Sequence, residues 1–259
     1  MTADAWTRAV RHQLRLGRLL PLGDRRDGAW IAERAAEAVL RGAAQHVRGV
    51  RLGALRIALA DPEDAQEPAV PPPPGALPPG PLRITADFAA VATEPLPATA
   101  SRLRTALATA AAERLGLVVD EVDLQVTVLL DHMDDIDVID DVDRVDDADH
   151  ASTADIDHVD GIDGVDDVDG GGNGESRVAA TTLAVPGVAR LTGALGGLGR
   201  AVHIEEVASA GALSRPHARV ELAVRADHRA LDVAREVRAR VGEALPDHPT
   251  VAVLVTEVD

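Results

Sequence analysis

A run of seventeen aspartates at positions 131–169 interrupts this chain near its middle, and no compact core can contain it. Like charges at that density repel, and Asp forms neither helix nor strand readily. The run, with the GGGNGES that follows it, therefore predicts a disordered acidic linker over residues 131–176. Within that segment seventeen Asp and Glu175 face one cation, Arg144, so it carries −17, the formal charge of the whole chain. The remaining residues balance to zero. Readings that an acidic protein invites, such as cation storage or nucleic-acid mimicry, can attach only to this segment, and no nucleic-acid partner is expected.

The 259 residues leave room for two domains of about 100 residues each beside the linker. Ala, Val and Leu supply most of the apolar content, with one Phe, two Trp and no Tyr. Such cores bury little area per residue and predict thin layers rather than a deep enzyme cleft. All 26 basic residues are Arg, which excludes a Walker-type phosphate loop and Schiff-base chemistry. The absence of Cys excludes disulfides and thiolate sites. No apolar run has the length of a signal peptide or a membrane span, so the expected location is the cytoplasm.

Residues 1–28 predict an amphipathic helix over 4–20, with Arg8, Arg11, Arg15 and Arg18 along one face, and then a turn. Residues 29–130 predict a helix (29–46), a strand (50–60), a Pro-rich loop (62–81), a strand (81–91), a helix (97–115) capped near Thr99 or Ser101, and a strand (119–130). Nine prolines fall in the loop, which reads as a stiff insertion. Residues 177–259 predict a helix (177–185), a Gly-rich passage, strands at 201–208 and 217–227, a helix (230–245) and a strand (250–258). Both halves thus read helix, strand, strand, helix, strand. Each closes its first helix with V-x-G-V: Val47-Arg48-Gly49-Val50 and Val185-Pro186-Gly187-Val188. A tandem duplication is the simplest account.

This order resembles the alkaline-shock-protein family of bacterial envelope stress-response proteins. The second half carries the resemblance best, through Val185 to Val188, Arg235-Glu236-Val237-Arg238-Ala239-Arg240-Val241 and Thr250-Val251-Ala252-Val253-Leu254-Val255. The chain departs from the family by holding two copies, and by Asp227-His228-Arg229 where a glycine usually precedes the second helix. The resemblance implies an α+β fold of two related modules, each a three-stranded sheet with two helices. It also implies a non-catalytic scaffolding role in the envelope stress response, self-association, and attachment near the membrane through a membrane-anchored protein partner. It brings no cofactor, small-molecule substrate or catalytic residue.

Four other groups of residues offer chemistry. Asp227, His228, His217 and Ser214 lie close in sequence at strand ends, but adjacency along a chain is not a triad. The glycine cluster 193–199 with Arg200 offers backbone N–H groups to an anion and reads more simply as a connector. His132, His150 and His158 within the Asp run offer imidazoles to a transition metal. In the same run Asp155, Asp157, Asp160, Asp163, Asp166, Asp167 and Asp169 are candidate ligands for a hard cation. They lack the spacing and the terminal Glu of a calcium loop. The alternative function is therefore weak, calcium-type cation binding through this tract.

Overall fold

The computed structural model describes residues 16–131, 171–195, 200–207, 215–246 and 248–259. The fold is mixed α+β, with two sheets. Strand β1 (Leu19–Leu22) turns back into β2 (Ala29–Ala32), which leads into helix α1 (Glu33–Ala44). Strands β3 (Val50–Leu59) and β4 (Leu82–Val91) follow. Helix α2 (Leu96–Thr109) widens into a π-turn (Ala110–Leu115) before β5 (Val119–Leu130). Past the Asp run come α3 (Gly171–Leu183), β6 (Val188–Leu191), β7 (Val202–Val207), β8 (Arg215–Val224), α4 (Ala230–Ala244) and β9 (Thr250–Val258).

The smaller sheet has the order β3-β4-β5, with β3 antiparallel and β5 parallel to β4. The larger has six strands: β1-β2-β9-β8, with β6 and β7 both on β8. Strand β6 faces Val224 to Leu222 and β7 faces Val220 to Arg215, both antiparallel, while β9 runs parallel along the opposite edge of β8. Strands β6 and β7 line the same edge of β8, one after the other. Each half therefore carries helix, antiparallel strand, central strand, crossover helix and parallel strand, paired in the same senses.

Small details repeat as well. Gly49 and Gly187 have φ of +70° and +92°, the left-handed region where glycine avoids a Cβ clash. Their carbonyls accept from Val91 N (3.0 Å) and Arg225 N (2.8 Å), at the ends of the two central strands. Strand β5 bulges between the partners of Phe88 and Ala89, and β9 between the partners of Leu222 and Ala223. A threonine fills each bulge, and its hydroxyl donates to the central strand: Thr127 to Phe88 O (3.4 Å) and Thr256 to Leu222 O (3.3 Å).

The larger sheet corrects the expectation of three strands per module. Strand β2, from the first half, pairs in parallel with β9: Ala29, Trp30 and Ile31 lie opposite Val253, Leu254 and Val255. The halves are not held apart by the acidic run, since buried side chains from both form one continuous apolar cluster. Helices α1 and α4 both pack on β9, and Val251 through Val255 are all buried. A strand covered on both faces reads as an unbroken apolar run, which explains VAVLV.

Three element assignments change. Residues 29–32 are strand, not the first turn of a helix, because pairing with β9 outweighs local propensity. The helix expected over 4–20 does not reach its predicted end. Gly17 takes φ +69°, Leu19–Leu22 is strand, and Arg18 leaves the arginine stripe to bind Glu33 (2.7 Å) and Ile57 O (2.6 Å); residues 1–15 lie outside the described residues. The linker expected to 176 ends sooner, since α3 starts at Gly171. Packing anchors that helix further along. Val178 and Thr182 are fully buried, and a Cβ on Gly174 would sit 3.3 Å from Ile204 Cδ1, so glycine lets the helix lie close to β7. Two smaller departures are the N-cap of α2, which falls on Pro95, and β6, which forms inside the stretch read as a Gly-rich passage.

Candidate functional site

Backbone N–H and C=O groups on a sheet edge bind other chains unless something blocks them. Three stretches of edge are blocked here. The Pro-rich loop covers β1: Leu77 N donates to Leu19 O (2.9 Å), Ala76 bridges Leu19, and Trp30 Nε1 donates to Leu77 O (3.2 Å). Strand β3 has carbonyls capped by arginines, Gly53 O by Arg41 (2.9 Å) and Ile57 O by Arg18 (2.6 Å). The outer edge of β9 is filled by β2, with Val253 N donating to Gly28 O (3.0 Å).

Strand β5 occupies the place of β9 in the smaller sheet, and among the described residues no strand lies on its outer edge. Arg104 Nε reaches Val122 O (3.0 Å). Successive residues of a strand point their backbone groups to opposite sides. That contact, and the match of Leu124 to Val253, place the N–H and C=O groups of Val122, Leu124 and Val126 on the open side. The first half of β5 carries Asp120, Glu121 and Asp123, of which Glu121 and Asp123 pair with Arg83 on β4 (2.5 and 3.6 Å). The stretch from Leu124 to Leu130 is uncharged. Val126, Val128 and Leu129 are 37%, 41% and 55% exposed, and all three belong to this stretch of edge. An open, neutral, partly apolar edge is a surface for strand addition.

The residues singled out for catalysis do not converge. The His228 ring and the Asp227 carboxylate are 2.7 Å apart on the surface, where the imidazole holds Asp227 below its usual range. His217 is buried in β8 and bonded to Thr250 Oγ1 (2.8 Å), and burial pushes its pKa down, towards the neutral ring. Ser214 lies outside the described residues. The depression beside His228, about 370 Å³ and bordered by Arg229, Asp232, Glu236 and Arg240, is open to solvent. Among the described residues no three His, Asp or Glu side chains cluster as a metal site. The candidate ligands Asp155, Asp157, Asp160, Asp163, Asp166, Asp167 and Asp169, with His132, His150 and His158, lie outside the described residues.

The anion-binding amides expected near the glycine cluster serve the chain's own carboxylate. Ala194 N and Leu195 N donate to Glu221 Oε2 (2.7 and 2.9 Å). Glu221 is fully buried in β8, Oε1 accepts no hydrogen bond among the described residues, and Arg219 Nε lies 3.7 Å from it. Burial pushes this carboxyl above its usual range, against the pull of the two amides and Arg219. Neither this group nor the β5 edge was visible as special in the sequence. Glu221 reads as one more polar residue of a strand, and the β5 edge depends on which strands pair.

No family model, curated protein or solved structure matches the chain. Among the described residues no helix is long and apolar enough to cross a membrane.

Proposed function

We propose that this chain is a non-catalytic scaffolding and binding protein. In this reading it is a diverged tandem duplication related to the alkaline-shock-protein family, and it works in the envelope stress response through a membrane-anchored protein partner. The repeated order of elements, the two V-x-G-V glycines and the paired threonine bulges support the duplication. The observation that carries the binding role is the open edge of β5, the position that β2 fills on β9. Strand addition needs no catalytic group, only unpaired backbone and neighbouring apolar side chains.

The test is fractionation of cells producing the full chain beside a Val126→Lys variant, which sets a charge on the edge. The chain should sediment with membranes, and the variant should move to the supernatant while keeping its circular dichroism. A wild-type chain found wholly in the supernatant, with no membrane-proximal protein crosslinked to β5, would count against the reading.

A further inference from the structure

We propose that the partner segment on β5 runs parallel to it and reads basic, x, basic, apolar, x, apolar, with its two cations opposite Glu121 and Asp123. The inference rests on reading β5 as a binding edge and names the chemistry of what binds there.

The larger sheet shows how an edge of this kind is filled. The two threonine bulges align β5 with β9, so Leu124 and Val126 stand where Val253 and Val255 stand. There β2 adds in parallel. Val253 N donates to Gly28 O at 3.0 Å, and Ala29 and Ile31 lie opposite Val253 and Val255. A segment added to β5 in the same sense and register gives a carbonyl to Leu124 N and sets two residues opposite Leu124 and Val126. Arg104 already bonds Val122 O, so the ladder begins at Leu124. Opposite residues share a face, and Leu124 packs on the core while Val126 is 37% exposed. The two residues that meet them are apolar for the reason that Ala29 and Ile31 are.

The residues just before them alternate onto the other face, opposite Asp123 and Glu121. Those carboxylates, with Asp120 beside them, share one cation, Arg83, at 3.6 Å and 2.5 Å from Asp123 and Glu121. All three acids are exposed, so the edge keeps an excess of negative charge at this end. The repeated fold does not require it, since the matching positions of β9 are the uncharged Ala252 and Thr250. Like charges directly opposite destabilise a pair of strands and unlike charges stabilise it. Acids on an open edge therefore turn away neutral and acidic strands and admit a basic one. Lys or Arg at the two positions extends a line of alternating charge: Arg83, the β5 acids, then the partner's cations. The apolar part is short, because the bulge at Thr127 ends the regular alternation as Thr256 does on β9.

Synthetic peptides titrated against the full-length chain test this. The probe is Lys-Thr-Lys-Val-Thr-Val-Thr with a photoreactive N-terminus, beside the same peptide with Glu for Lys, and the reversed sequence. The basic peptide should bind about tenfold more tightly than either control, and more weakly as salt rises. Val126→Lys should weaken it by tenfold or more. Glu121→Lys together with Asp123→Lys should turn the preference to the acidic peptide. Light should couple the N-terminus to residues 120–123 and not to residues 127–131. No binding of the basic peptide, equal binding of the basic and acidic ones, a tighter reversed peptide, or coupling at 127–131 overturns the proposal. If one of these is found while Val126→Lys still releases the chain from membranes, β5 remains the binding edge and only the partner's pattern is wrong. The expected preferences in a chain that stays in the supernatant would uphold the pattern and remove the membrane partner.

Discussion

Val253 donates its backbone N–H to the carbonyl of Gly28 at 3.0 Å, joining the last strand of the chain to one formed near its beginning. Around that bond the halves cease to be separate modules. Beside it the Asp27 carboxylate takes Arg235 Nε and Nη2 (2.7 and 3.0 Å) and the backbone N–H of Asp24 (2.7 Å), fixing the β1–β2 turn to α4.

Replacing Asp27 by Asn breaks this clamp. Burial pushes the carboxyl up, but the bonds from Arg235 and Asp24 outweigh it and leave its pKa below the ordinary 3.8. A folded-state pKa below the unfolded one means stability that is present above about pH 3.8 and lost as pH falls through the folded value. Asp27→Asn should cost about 1–2 kcal/mol at neutral pH, discounted because Arg235 is half-exposed, and less in acid. Denaturant titrations at pH 7 and pH 3 check this. An equal loss at both would show that the charge contributes nothing.

Glu221 has the opposite sign. Its pKa is raised by burial above the ordinary 4.5, so the folded chain holds the proton more tightly than the unfolded one. Its contribution to stability is full below about pH 4.5 and declines as pH rises through the folded value. Glu221→Gln resembles the protonated form and should match the wild type near pH 4 and exceed it in melting temperature towards pH 7. Parallel melting curves across that range would refute the assignment.

The two V-x-G-V glycines should differ in tolerance. Both need φ > 0, which costs an L-residue about 1–2 kcal/mol. At Gly49 an added Cβ meets only Val91 Cβ, at 3.8 Å; at Gly187 it meets Val233 Cγ2 at 2.6 Å and His228 Cδ2 at 2.7 Å. Gly187→Ala should therefore destabilise the protein clearly more than Gly49→Ala in chemical unfolding. Equal losses would leave only the backbone cost.

Trp30 holds the Pro-rich loop as well as the core. It is 1% exposed, and its indole N–H donates to Leu77 O at 3.2 Å. Trp30→Phe keeps most of the apolar contact and loses that bond. The variant should lose about 1 kcal/mol, or more where the smaller ring leaves a void, and gain proteolytic cleavage within 62–81. Unchanged cleavage would mean that the loop is held by Leu77 N on Leu19 O and the Ala76 bridge.

Much of the local structure was legible. The apolar run at 250–258 coincides with β9, and the 3.6-residue pattern at 230–245 ends one residue past α4. The Pro-rich stretch is loop apart from one short turn at Pro62–Asp64. What escaped depends on partners distant in sequence. Ala29 to Ala32 continue the helical spacing of α1 and become strand only because β9, more than 200 residues later, offers its edge. The glycines at 171–174 look like linker and become the first turn of a helix whose later residues, Val178 and Thr182, are buried against the rest of the fold. The open edge of β5 was hidden for the same reason: alternation shows a strand but not its neighbours.

Cooperative unfolding tests most directly whether the halves form one body. Urea titration followed by native-state hydrogen exchange at Ala86 in β4 and Val220 in β8 reports on each sheet separately. A shared core and the β2–β9 ladder predict one midpoint, with both amides exchanging through the same global opening. Two midpoints, with the smaller sheet opening while Val220 stays protected, would contradict it.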